Sequence, residues 1–205
     1  VTIYGVEGVS FVVQEDKALA RLNSMLSEKL TQKDRAVFST NEKWAVYESD
    51  AATIVAIDVK TGTKKTLGTG VYPFFVEEFT TGRFSKGEIV LTNLESMKET
   101  NVAITDAPFD MAGGISVSPN RALVAWRSKE DGSVAVYNIT PAGGRLITRH
   151  SGNVDSFAIG NRELYLLRVT EEGTEIVRFS FNLDAKEEVI HIFPTSLGIT
   201  EMKLY

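Results

Sequence analysis

The sequence predicts an all-β protein built from four-stranded units that recur along the chain. Three observations predict it. Short runs rich in Val, Ile, Phe and Tyr, residues that suit a pleated, half-buried surface, are stopped about every 8–12 residues by turn formers. Those stops include Thr61-Gly62, Pro119-Asn120, Asp131-Gly132, Glu172-Gly173 and Asn182-Leu183-Asp184. Groups of such runs repeat at a spacing of about 35–45 residues. The third run of a group alternates loosely, as in Ile54, Ala56 and Asp58 or Val134, Val136 and Asn138, which fits a strand with one covered face at a time.

The units follow in order. Residues 1–34 carry TIYGV, VSFVVQ, ALARLN and EKLT, and the ending Glu28-Lys29-Leu30-Thr31 resembles Lys64-Lys65-Thr66-Leu67. A helical reading competes there, because Leu19, Leu22, Leu26 and Leu30 fall at spacings of three and four with Asp16 placed to cap. Residues 35–71 give AVFST, KWAVYES, TIVAIDV and KKTLGT. Residues 72–113 are looser, with YPFFVEEF, EIVLTNL and NVAITD. Residues 114–153 give ISVSP, ALVAWRS, SVAVYNI and RLITRH, and residues 154–195 give SFAIG, ELYLLRV, EIVRFSF and EEVIHIF. The remaining segment, SLGITEMKLY over 196–205, reads as one strand, and a lone strand leaves its backbone groups unpaired unless it completes a sheet. A sandwich does not need a repeat of about 40 residues, whereas a propeller does. The expected fold is therefore a single β-propeller domain of four-stranded blades over 1–205, five in number, closed by pairing Ile199–Tyr205 with the N-terminal strands. The alternative is an open fragment of a larger propeller.

Short motifs point the same way. Ser118-Pro119-Asn120-Arg121 keeps half of a Ser-Pro-Asp-Gly turn, and Ser39-Thr40-Asn41-Glu42-Lys43 keeps the Ser and the Lys. Ile159-Gly160-Asn161-Arg162 has drifted further, while Asp58-Val59-Lys60-Thr61-Gly62 preserves a strand ending in a Thr-Gly turn. With these motifs the stretch Phe38–Gly70 resembles a blade of the WD-like repeats found in Tol-type periplasmic propellers and in the propeller domains of prolyl peptidases. The resemblance covers roughly Arg35 to Pro194. It implies a fold and transfers no active site.

Bulk composition narrows the function classes. The 205 residues are 43% hydrophobic and 24% charged, with a net charge of −5 and a pI near 5.2. Lys and Arg are scattered, so clusters able to replace counterions on nucleic acid or anionic lipid are not expected. The chain has no cysteine, which removes disulfide scaffolds, thiol nucleophiles and cysteine-ligated zinc. No apolar run approaches the roughly 18–20 residues of a membrane span. The start at Val1, without Met or a charged-then-apolar leader, suggests processing or trimming and leaves room for a longer parent. The compartment stays open between cytoplasmic and periplasmic or secreted.

Catalytic motifs are sparse. The two histidines, His150 and His191, have no metal-binding spacing. His191 sits in an alternating strand and reads as a surface or satisfied residue. His150 sits in the turn Arg149-His150-Ser151-Gly152, on the rim face. No Gly-x-Ser-x-Gly elbow is present, and Gly68, Gly70, Gly113-Gly114 and Gly143-Gly144 read as connections between units, not as a phosphate loop. Five-bladed glycosidases carry acid/base carboxylates on innermost strands. Glu77, Glu78, Asp106, Asp110 and Asp155 lie near such positions, with Tyr72, Phe74, Phe75 and Phe109 as possible sugar platforms; the plainer reading is turn-capping and solvated residues. Trp44 and Trp126 take corresponding places in two second strands, which argues for packing.

The expectation from sequence is a non-catalytic interaction or scaffold module that binds a protein partner or a larger assembly through rim loops. It expects no catalytic residue, metal, cofactor, nucleic acid or membrane insertion, and leaves a small-molecule ligand open. The loops that share this face are 31–35, 68–74, 105–114, 149–155 and 193–198, joined by 49–53, 128–133 and 171–173. The candidate contact residues are Tyr72, Phe74, Phe109, Asp110, Arg149, His150 and Asp155. A carbohydrate-binding or glycoside-hydrolysing propeller is the alternative, and a propeller domain of a larger multidomain protein is another.

Overall fold

The computed structural model describes residues 2–6, 9–13, 36–49, 52–104, 108–110, 113–152, 154–181 and 186–194. The closing strand expected over 199–205, the helix or unit expected over 16–31, Asp106 and the turn at 182–184 lie outside these residues. All described elements are strands, and among the described residues no helix is long and apolar enough to cross a membrane. The chain divides into two compact units, Val1–Pro73 and Phe74–Tyr205.

In the first unit β1 (Thr2–Val6) and β2 (Val9–Val13) form an antiparallel hairpin. A four-stranded antiparallel sheet follows in chain order: β3 (Val37–Phe38), β4 (Trp44–Ser49), β5 (Thr53–Asp58) and β6 (Lys64–Thr69). Its core joins Ala45, Tyr47, Ile57 and Val59, with Ala36, Phe38 and Val55 packed against them.

The second unit holds three more sheets of this kind. One is β7 (Val71–Glu77, which starts just before the unit boundary), β8 (Thr80–Ser85), β9 (Glu88–Asn93) and β10 (Glu99–Ala103). The next is β11 (Ile115–Val117), β12 (Leu123–Arg127), β13 (Val134–Thr140) and β14 (Gly143–His150). The last is β15 (Ser156–Ile159), β16 (Glu163–Val169), β17 (Thr174–Ser180) and β18 (Glu187–Phe193). The two last sheets bury a shared apolar core that includes Ala125, Val136, Phe157, Leu164, Leu166 and Val177. In β6, β14 and β18 the register slips by one residue, at Leu67, Ile147 and Ile190, so a bulge recurs in the outermost strand of three sheets.

Strand β8 escapes the sequence reading, because TTGRFS looks like loop. Gly82 is glycine because a Cβ there would lie 2.4 Å from Cζ of Phe74. Arg83 is buried with its guanidinium donating to Thr92 Oγ1 at 2.7 Å and to Glu99 Oε1 at 2.7 Å, so the polar residue is satisfied inside the sheet. The alternation expected of the third strands also fails in β13, where Val134, Ala135, Val136 and Tyr137 are all buried because both faces of the sheet are covered there.

The serine turns set the register of the repeat. Ser39 Oγ accepts from the Trp44 amide at 3.0 Å and donates to Asn41 Oδ1 at 2.9 Å. Ser118 Oγ likewise accepts from the Leu123 amide at 2.9 Å and donates to Asn120 Oδ1 at 2.8 Å. Trp44 therefore corresponds to Leu123, and Trp126 corresponds to Tyr47, three residues further along. The expected equivalence of the two tryptophans is corrected, although both are buried packing residues. Glu42 and Arg121 occupy the left-handed corner of these turns at φ 53° and 60°, where a Ser-Pro-Asp-Gly turn carries glycine.

Candidate functional site

One end of the sheets in the second unit gathers the connections between sheets with the turns inside them. Pro108–Asp110 lies against the turn that joins β12 to β13. The Asp110 amide donates to the Arg127 carbonyl at 2.9 Å, the Lys129 amide donates to the Pro108 carbonyl at 2.8 Å, and Phe109 bridges to Ser128. Gly113 passes so close that a Cβ would stand 2.6 Å from Arg127 Cβ. The half-buried Phe109 ring stacks on Phe84 at 4.2 Å, Phe84 meets the edge of Trp126 at 5.5 Å, and Trp126 stacks on Tyr137 at 4.4 Å. A continuous aromatic line thus anchors the loop to the core.

The β12–β13 turn is held by charge. Arg149 on β14 donates from Nε to Ser133 Oγ at 2.6 Å and from its terminal nitrogen to Asp131 at 2.9 Å. Hydrogen bonds from Ser133, first, with help from Arg149 and Ser128, bring the Asp131 carboxyl from an ordinary 3.8 down to about 2. At the next junction Arg127 donates to the carbonyls of Val154 and Asp155. The Asp155 carboxylate accepts from the Val169 amide at 2.7 Å, and the Asp155 amide donates to the Leu167 carbonyl at 2.8 Å.

His150 lies between the last two sheets. Its Nε2 is 2.9 Å from a terminal nitrogen of Arg168, and its Nδ1 is 3.3 Å from Glu187 Oε1. A guanidinium has only donors, so Nε2 must accept, and the ring is the neutral tautomer with its proton on Nδ1 facing Glu187. Arg168 completes the triangle with bonds of 2.9 and 2.8 Å to the two Glu187 oxygens, and Phe179 packs edge-on against the imidazole. Burial lowers the pKa of His150 most; Glu187 works against that and Arg168 adds to it. The hydrogen bond from Arg168 lowers the pKa of Glu187.

The candidates from sequence divide between this end and elsewhere. Phe109, Asp110, Arg149, His150 and Asp155 all come to it. His150, however, is the buried last residue of β14, 4% exposed, and not an open turn residue. Phe74 is 1% exposed, locked between Phe84 and Gly82, because the inner strand β7 is covered on both faces. Tyr72 belongs to the first unit, where it is buried at φ 54° and its amide donates to Glu48 Oε2 at 3.4 Å. The carboxylates proposed for acid/base work are not brought together. Glu77 and Glu78 sit where β7 turns into β8, with Glu78 acting on Arg121 before the start of β12, whereas Asp110 and Asp155 sit beside Arg127 at the end of β12. Among the described residues no group of three or more His, Cys, Asp or Glu side chains is placed to hold a metal ion. Arg127, Arg168 and Glu187 escape the sequence reading, and Asp131 carries a signal there only as part of the turn Asp131-Gly132.

No family model matches the sequence, and no curated protein sequence matches it. Solved structures do match. The chain is 10% identical to U3-55K with a TM-score of 0.57, covering 82% of this chain and 54% of that one. It is 10% identical to the RRP9 WD40 repeats with a TM-score of 0.56, covering 82% and 53%. It is 15% identical to TolB from Acinetobacter baumannii with a TM-score of 0.52, covering 80% and 45%. The chain thus spans about half the length of the solved structures it matches. Repeated four-stranded antiparallel sheets and these likenesses identify the fold as a β-propeller.

Proposed function

We propose that this propeller is a non-catalytic interaction module that binds a protein partner through the end of its sheets where the connections meet the turns. The observation that carries the reading is the fixing of those loops. Backbone and aromatic contacts pin Pro108–Asp110, and Asp155 is tied to β16, so side chains are presented without an ordering cost at the moment of binding. Lys129, Glu130, Asp131, Asp155, Glu171 and Glu172 are exposed there. Their mainly acidic character suits a partner with a basic patch and opposes nucleic acid.

A photo-crosslinking amino acid placed at Glu130 or Glu171 is expected to capture the partner, and one placed at Asn161 or Ala142, on the far ends of the strands, is not. Capture only from the far positions would overturn the reading. The coverage of about half of each matched structure supports a second reading, in which the chain is the propeller portion of a larger protein. The intact mass of the protein isolated from its native source tests it: a mass well above 22.5 kDa supports it, and a mass at that value contradicts it.

A further inference from the structure

We propose that His150 is a proton-operated latch between the last two sheets, which keeps the end of β14 docked on β16 and β18 while the imidazole is neutral and releases it on protonation. The geometry points to this role. The ring is buried at the end of β14, yet both of its polar partners belong to the following sheet: Arg168 on β16 and Glu187 on β18. The connection that starts at His150 reaches Asp155, whose carboxylate is bound to the Val169 amide next to Arg168. His150 and Asp155 thus both bear on β16 at this end, beside Arg127, which reaches the carbonyls of Val154 and Asp155.

The charged groups facing His150 decide the direction. Arg168 and Glu187 form a pair with no net charge, Glu175 on β17 stands opposite Arg168 in register, and Glu188 is engaged with Arg178. Adding a proton to Nε2 removes its lone pair and sets two donors against each other at 2.9 Å. It also places a positive charge on a ring that is itself 4% exposed, where burial disfavours the charged form. Glu187 attracts the imidazolium, but it is already held by both donors of Arg168. Opening the junction lets water solvate the charged ring. The folded, closed state binds the proton less readily than the open state, so closure is complete above about pH 6.5 and weakens as pH falls below it. Any effect on a bound partner rests on the rim reading above; the latch itself does not.

The test compares denaturant unfolding of the wild-type chain and of His150→Gln between pH 7.5 and 5.0. Glutamine can accept from Arg168 and donate to Glu187 without titrating. The unfolding constant of the wild type is expected to rise by up to about tenfold per pH unit below about pH 6.5, while His150→Gln changes much less. Equal pH slopes would overturn the latch. Ring resonances of the wild type, separated from those of the other histidine by His191→Gln, give an independent reading should His150→Gln fail to fold. His150 protonation accompanied by shifts of the Asp155 and Val169 amides supports the latch, and protonation with those amides unchanged refutes it.

Discussion

The two ends of the sheets in the second unit are joined by different chemistry. At the end where the connections gather, the junction between the last two sheets is ionic: Arg127 reaches the carbonyls of Val154 and Asp155, and His150 reaches Arg168 and Glu187. At the far end the same two sheets are joined by neutral hydrogen bonds, from the Ile159 amide to Ser116 Oγ at 3.0 Å and from the Asn120 amide to Asn161 Oδ1 at 3.0 Å. Between them lies an apolar core with no titratable side chain among its residues. A repeat that looks uniform in backbone thus carries one end that responds to protons and one that does not.

The largest expected effect breaks both ends together. Leu166 is fully buried in the shared core, and Leu166→Ala should cost about 2–5 kcal/mol in denaturant unfolding, equally at pH 7.5 and 5.5. Arg168→Met should cost about 1–3 kcal/mol at neutral pH, because it leaves the buried His150 Nε2 without its donor. At the far end Ser116→Ala should cost only about 0.5–1.5 kcal/mol, with no change between pH 5 and 8. A pH-dependent Ser116→Ala effect would erase the contrast between the ends.

Two smaller effects sharpen it. The Asp131 carboxyl is held at about 2 against an ordinary 3.8, so its contribution is complete above about pH 4 and is lost only as pH falls towards 2. Asp131→Asn should therefore leave the pH dependence between 5 and 7 untouched, and its effect on the melting temperature should shrink with added salt. The smallest effect compares two equivalent turns. Glu42→Gly should stabilise by up to about 1 kcal/mol by relieving a left-handed corner. Arg121→Gly should gain less, because the Arg121 guanidinium lies over the Phe75 ring at 5.4 Å and faces Glu78.

Much of the architecture was legible because local chemistry and tertiary demand agree. The runs AVFST, KWAVYES, TIVAIDV and KKTLGT became β3 to β6, and the last two units match run for run, since β-branched and aromatic stretches between turn formers have few other uses. Strand β8 was hidden because its residues answer to distant partners, Gly82 to the Phe74 ring and Arg83 to Glu99 on β10. The tryptophan equivalence failed because the serine turn, not the aromatic residue, sets the register. At the candidate site, sequence located the loops but not their chemistry. His150 meets Arg168 across 18 positions of chain and Glu187 across more, a pairing created only when two sheets stack.

The most direct test of the contrast is residue-resolved amide exchange at pH 7.0 and 5.5, expressed as protection relative to the unstructured chain. The Val169 and Asp155 amides are expected to lose protection at the lower pH while the Ile159 and Asn120 amides keep theirs. Equal loss at both ends, or no loss at Val169 and Asp155, would contradict it.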